Sequence, residues 1–127
     1  MVVLDIKPNP EERIVCADVS GNIDAASYKD IAEEIFKIYN QTGYCVLFDL
    51  IDTKLALSFE EEVKAPRDVI GKNTAKAHKA KFAMYVKKED LSEWKFIEIL
   101  NLNMGYSIKA FSNKEDALSW LRSVTNA

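Results

Sequence analysis

The chain has 127 residues, with 17 Lys plus Arg against 20 Asp plus Glu, a net charge of −3, 48% hydrophobic and 29% charged residues. That balance excludes intrinsic disorder, a collagen repeat, a disulfide scaffold and a strongly basic nucleic-acid binder. A chain of this length buries about two-thirds of its unfolded surface, enough for a core without staples.

Val2 to Ile6 is a short apolar run stopped by Pro8 and Pro10, which predicts an edge strand. Arg13 to Val19 (RIVCADV) reads as a strand, followed by a turn at Ser20, Gly21 and Asn22. Asp24 is the expected N-cap of a helix that runs to about Gln41, with Tyr28, Ile31, Ile35, Ile38 and Tyr39 at helical spacing. Gly43 is its natural stop. Tyr44 to Ile51 (YCVLFDLI) is nearly continuous apolar, as in a central strand covered on both faces.

Ser58 with Glu61 fits a capping box and starts a second helix, which Pro66 and Gly71 break or kink. Lys81 to Val86 is a strand, a third helix covers about Glu89 to Asn103, and Gly105 ends it. Tyr106 to Phe111 is the last strand, and Ser112 with Glu115 repeats the capping box before a final helix. That helix is expected to bury Ala117, Leu118, Trp120, Leu121 and Val124. The order β-β-α-β-α-β-α-β-α predicts a mostly parallel five-stranded α/β sheet with about four helices. The first strand is expected at the edge, antiparallel to its neighbour. No repeat, linker or low-complexity tract divides the chain, so residues 1–127 read as one domain.

The opening MVVLDIKPNPEER lacks the basic start and apolar stretch of a secretory signal. No window reaches the roughly 18 uninterrupted apolar residues of a membrane span. Cys16 and Cys45 sit singly inside strand-like runs and read as buried free thiols. A cytoplasmic protein is the expectation.

Four segments carry a resemblance to a known family. They are VSGNIDAASYKDI (Val19 to Ile31), VLFDLID (Val46 to Asp52), KFAMYV (Lys81 to Val86) and YSIKAFSNKEDALSWL (Tyr106 to Leu121). Together they resemble the SpoIIAA-like family, small single-domain relatives of the STAS domain. The resemblance implies a STAS-like fold and a regulatory, protein-binding role. Signalling STAS domains that oppose anti-sigma factors carry an Asp-Ser-Ser-Gly-like motif with a phosphorylatable Ser after the central strand. Here that place holds Ile51, Asp52, Thr53, Lys54 and Leu55, then Ala56, Leu57 and Ser58, so the motif is absent.

Asp49 and Asp52 are expected at the C-terminal end of the central strand, where open α/β sheets bind ligands, with Asp24 near the same edge. Paired carboxylates there serve acid-base chemistry or a cation, whereas plain structural roles are capping and local backbone hydrogen bonds. His78, the only histidine, lies between lysines and lacks the spacing of a catalytic partner or a zinc set. Lys72, Lys76, Lys79 and Lys81 form a basic stretch without aromatic interleaving. It suits an anion, with Lys72, Lys76 and Lys79 as ligands, better than a nucleic acid, and a solvated face is the simpler reading. No Gly-rich phosphate loop, nucleophile elbow or Cys-x-x-Cys occurs, so neither a cofactor nor a metal is expected.

The third helix is the least ordinary. Trp94, Phe96, Ile97, Leu100 and Met104 gather on one arc, while Leu91, Ile99 and Leu102 fall outside it, where a surface helix is normally polar. The leading expectation is therefore a non-enzymatic STAS-like interaction domain. It would bind a protein partner or itself through Leu91, Trp94, Ile99 and Leu102. A second expectation, resting on the likeness between STAS-like and CRAL-TRIO lipid-transfer folds, is a carrier of a small apolar or lipid-like ligand. Its pocket would be lined by Phe59, Val63, Trp94 and Phe96. An enzyme requires Asp49, Asp52 and His78 to converge in one cleft.

Overall fold

The computed structural model describes residues 2–58, 60–64, 81–102 and 107–125. Five strands lie side by side in chain order: β1 (Val3–Asn9), β2 (Ile14–Ile23), β3 (Cys45–Leu55), β4 (Lys81–Tyr85) and β5 (Ser107–Phe111). β1 pairs antiparallel with β2, and every other pairing is parallel. Helices are α1 (Ala25–Thr42), α2 (residues 60–64), α3 (Leu91–Leu102, led in by a 3-10 turn at Lys88–Asp90) and α4 (Lys114–Thr125). The expected element order and mostly parallel sheet are thus present, including the antiparallel edge strand.

Right-handed crossovers between strands laid down in one direction place their helices on one face of the sheet. α1 and α3 accordingly share a face. Ile35 and Phe36 of α1 pack on Val15, Ala17, Val46 and Phe82. Trp94 and Ile97 of α3 pack among Val19, Ile23, Leu50, Met84 and Ala110. α4 follows the last strand, needs no crossover, and covers the other face. There Ala117 and Leu121 close over Ile14, Leu47 and Ala83. Each fully buried Ile or Leu contributes about 1.5–3 kcal/mol relative to exposure.

Local chemistry explains the element ends. Asp24 Oδ1 accepts from the Ser27 N–H at 2.8 Å, and Ser27 Oγ accepts from the Asp24 N–H at 3.1 Å, closing a capping box on α1. Gly43 ends α1 at φ 71°, a left-handed position that L side chains strain to adopt. Ser58 and Glu61 form the second capping box, with bonds of 2.9 and 3.2 Å. The expected break at Pro66 and Gly71, and the stop at Gly105, lie outside the described residues.

Four expectations change. β1 continues through Pro8 to Asn9, because an edge strand needs only half of its N–H groups for pairing. Ser20, Gly21 and Asn22 are not a turn but the last part of β2, paired with Asp52, Thr53 and Lys54. The last helix is capped by Asn113, whose Oδ1 accepts from the Asp116 N–H at 3.1 Å, rather than by Ser112. β3 runs past Ile51 to Leu55, so Asp49 and Asp52 lie within the strand and not at its end.

That long β3 contains a bulge. Asp18 pairs with Asp49 and Ser20 with Asp52, so Leu50 and Ile51 together oppose Val19. Asp49 Oδ1 accepts from the Ile51 N–H at 3.3 Å, and Thr53 Oγ1 donates to the Leu50 carbonyl at 2.6 Å. Gly21, at φ 106°, sits opposite Thr53 beyond the bulge, where its left-handed backbone suits glycine.

Candidate interaction surface

α3 is held from beneath by a stripe spaced at i, i+3, i+4 and i+7. Trp94, Ile97 and Asn101 are buried, and Glu98 lies between the last two in sequence. Asn101 Nδ2 donates to the Ile97 carbonyl at 2.8 Å. Glu98 Oε1 accepts from the Ala110 N–H of β5 at 2.7 Å and from Lys95 Nζ at 3.2 Å. Two polar side chains therefore occupy positions on the inner side of a helix that is mostly apolar.

The apolar side chains they displace face outward. Ile99 is 53% and Leu102 49% exposed; with Val3 they are the exposed large hydrophobics among the described residues. Phe96 precedes Ile99 by three residues and is half-buried, so Phe96, Ile99 and Leu102 form one ridge at i, i+3 and i+6. Trp94 is 4% exposed and points into the fold, which removes it from an outer contact surface. Leu91 is half-buried at the start of the helix. Of the two aromatics expected on the inner arc, Trp94 is inside and Phe96 is half-buried beside the ridge.

Between α1, α3 and the sheet lies a cavity of about 90 Å³, lined by residues that include Ile23, Tyr28, Phe48, Met84, Trp94 and Asn101. Of the four side chains expected to line a pocket, Trp94 does so, while Val63 and Phe96 are not among its lining residues. Phe59 lies outside the described residues.

The other sheet face carries charge. Asp5, Asp18 and Asp49 fall in one cross-strand row over β1, β2 and β3. Lys7 answers this row, with Nζ 3.4 Å from Asp5 and 3.6 Å from Asp18. Its ammonium pKa is raised, first by Asp5 and then by Asp18. Asp49 and Asp52 share this face on either side of the bulge, whereas Asp24 caps α1 over the opposite face. Asp49 bonds local backbone, and no catalytic partner for it is placed among the described residues. His78, Lys72, Lys76 and Lys79 lie outside them. Among the described residues, no three His, Cys, Asp or Glu side chains are grouped to hold a metal ion. No described helix is long and apolar enough to cross a membrane.

Thr53, one of the residues standing in place of the absent motif, lies within β3. It is 5% exposed and its hydroxyl is committed to the Leu50 carbonyl, so a kinase meets no free hydroxyl there. Ser58 is exposed, and its Oγ accepts from the Glu61 N–H.

A five-stranded, mostly parallel sheet with helices on both faces and one antiparallel edge strand defines this molecule as a SpoIIAA-like α/β domain. An uncharacterised protein with a SpoIIAA-like fold from Shewanella loihica has a TM-score of 0.61 at 19% identity, over 94% of this chain and 93% of its own. An anti-sigma factor antagonist from Mycobacterium paratuberculosis has a TM-score of 0.61 at 15% identity, covering 96% and 95% of the two chains. The anti-sigma factor antagonist SpoIIAA in its unphosphorylated form has a TM-score of 0.53 at 12% identity, covering 94% and 98%. No curated protein matches the sequence. The SpoIIAA-like family pattern matches residues 14–122, and the chain belongs to that family.

Proposed function

We propose that this protein is a non-enzymatic regulatory domain that binds a protein through the outer ridge of α3, with a second copy of itself as the partner. The observation that carries this reading is the solvent exposure of Ile99 and Leu102 on a helix whose inner side is already anchored. Each is already about half buried, so covering the rest contributes on the order of 1 kcal/mol apiece, a useful share of a modest interface. An uncharged ridge can face its own copy about a two-fold axis with no like-charge penalty, although the chain carries a net −3. Two proteins of similar fold are named as anti-sigma factor antagonists, which act on another protein, and this supports the interaction class. The buried Thr53 argues for binding that is not switched by phosphate at that position. Cytoplasmic residence fits such a role.

Sedimentation across a concentration series tests the proposal. Wild type should pass from monomer to dimer, and Ile99→Glu and Leu102→Glu should remain monomeric with unchanged circular dichroism. A wild type that stays monomeric at every concentration, or variants that dimerise as well as wild type, would overturn it.

A further inference from the structure

We propose that the cavity between α1, α3 and the sheet is a binding site for a small neutral molecule, mostly hydrocarbon, that carries one hydroxyl. Its walls are aliphatic and aromatic, with Ile23, Phe48 and Met84 among them, and no charged side chain among the described residues lines it. An ionic ligand would lose its hydration there without compensation.

One wall is different. Asn101 is 8% exposed and lines the cavity. Its Nδ2 donates to the Ile97 carbonyl at 2.8 Å. A carbonyl can only accept, so this bond fixes which end of the amide is nitrogen. Oδ1 is left as an acceptor with no donor among the described residues. Packing alone would favour Leu at this inward helical position, since a buried amide half without a partner is destabilising. The indole N–H of Trp94, another lining residue at 4% exposure, also has no acceptor among the described residues. A hydroxyl donates once and accepts as well, so it can meet the Asn101 acceptor or the Trp94 donor, whichever it reaches.

Size narrows the class. An apolar cavity of about 150 Å³ takes up benzene. The present cavity, at about 90 Å³, suits something smaller, such as a butanol or the hydroxyl-bearing end of a longer chain. The site lies on the inner side of α3, opposite the ridge of Ile99 and Leu102, so it stands or falls independently of the docking proposal.

Titration of 1-butanol into nitrogen-15-labelled protein, followed by NMR, is the test, with pentane as the apolar counterpart of equal heavy-atom count. Saturable shifts of the Asn101 side-chain amide and the Trp94 indole N–H are expected. Asn101→Leu should weaken 1-butanol about tenfold and leave pentane unchanged, because one hydrogen bond is lost and the apolar wall is kept. Ala32→Leu, which adds bulk to the wall, should abolish binding in a folded protein, which keeps the test decisive if Asn101→Leu does not fold. Tighter binding of 1-octanol than of 1-butanol would identify a chain end, and equal or weaker binding a free small alcohol; both support the site. Absence of saturable shifts, equal 1-butanol affinity in Asn101→Leu, or unaltered binding in Ala32→Leu overturns the proposal and leaves a cavity for water only.

Discussion

Glu98 reaches from α3 to the outer edge of the sheet and accepts the Ala110 N–H at 2.7 Å. β5 is an edge strand, and every edge strand presents backbone donors that invite another chain. Glu98 occupies one of them from within the molecule, and Lys95 holds the carboxylate at 3.2 Å. The bond is consistent with the packing of Trp94 and Ile97 in a rotation of α3 that keeps Asn101 inside and leaves Ile99 and Leu102 outside.

Removing the anchor should cost stability in a graded way. Glu98→Ala leaves the N–H of buried Ala110 without its acceptor, a loss of about 1–3 kcal/mol. Glu98→Gln keeps a carbonyl oxygen at nearly the same place and should lose less than half as much. Urea unfolding of the two variants measures the difference. Equal losses would show that the Lys95 ion pair, and not the bond to β5, carries the stabilisation.

The two sides of α3 should respond oppositely to truncation. Trp94→Ala removes a side chain that is 4% exposed and should cost about 3–5 kcal/mol. Leu102→Ala, at a residue 49% exposed, should fall within about 0.5 kcal/mol of wild type when the protein is monomeric. Thermal unfolding at low protein concentration separates the cases. A large loss from Leu102→Ala would make that residue core and remove the ridge.

Helical periodicity finds α3, with Trp94 and Ile97 inside and Ile99 and Leu102 outside, but it misplaces other positions. Counting apolar residues placed Phe96 and Leu100 with the core, because hydropathy alone cannot see that Glu98 is drawn inward by an edge N–H or that Asn101 bonds the Ile97 carbonyl. Those partners come from a distant strand and from the helix backbone, and neither leaves a mark in the spacing of apolar residues. Gly43 and the pairs Asp24–Ser27 and Ser58–Glu61 are different: their chemistry is local, and their helix boundaries follow from a few neighbouring residues. The β3 bulge was not legible for the opposite reason. It needs Asp49, Thr53 and the partner residue Val19 at once, and the last comes from another strand.

A negative charge at the two hydroxyls near the end of β3 should have contrasting effects. Thr53→Glu forces a carboxylate into a site 5% exposed, with no cation bound to it, and should destabilise by on the order of 3–5 kcal/mol. Ser58→Asp keeps an acceptor at the start of α2, where the helix dipole favours negative charge, and should unfold with a midpoint near that of wild type. Urea midpoints for the pair decide whether a phosphate is tolerated at either place. A stable Thr53→Glu would mean that this strand end opens readily.

Glu62 gives the fold a pH dependence of definite sign. It is 8% exposed on α2, and burial first, then the negative charge of Glu93, push its carboxyl pKa up. The folded chain therefore holds this proton more tightly than the unfolded chain does. The penalty for ionising Glu62 is full above the folded pKa and is relieved as the pH falls through it towards the unfolded value near about 4.3. Glu62→Gln should accordingly raise the melting temperature at neutral pH, and its advantage over wild type should shrink on acidification and vanish below the unfolded pKa. Melting curves of the two proteins across the acid range provide the check. An advantage that stays constant with pH would show that shape, and not charge, separates the two side chains, and a loss at neutral pH would show that a cation compensates Glu62.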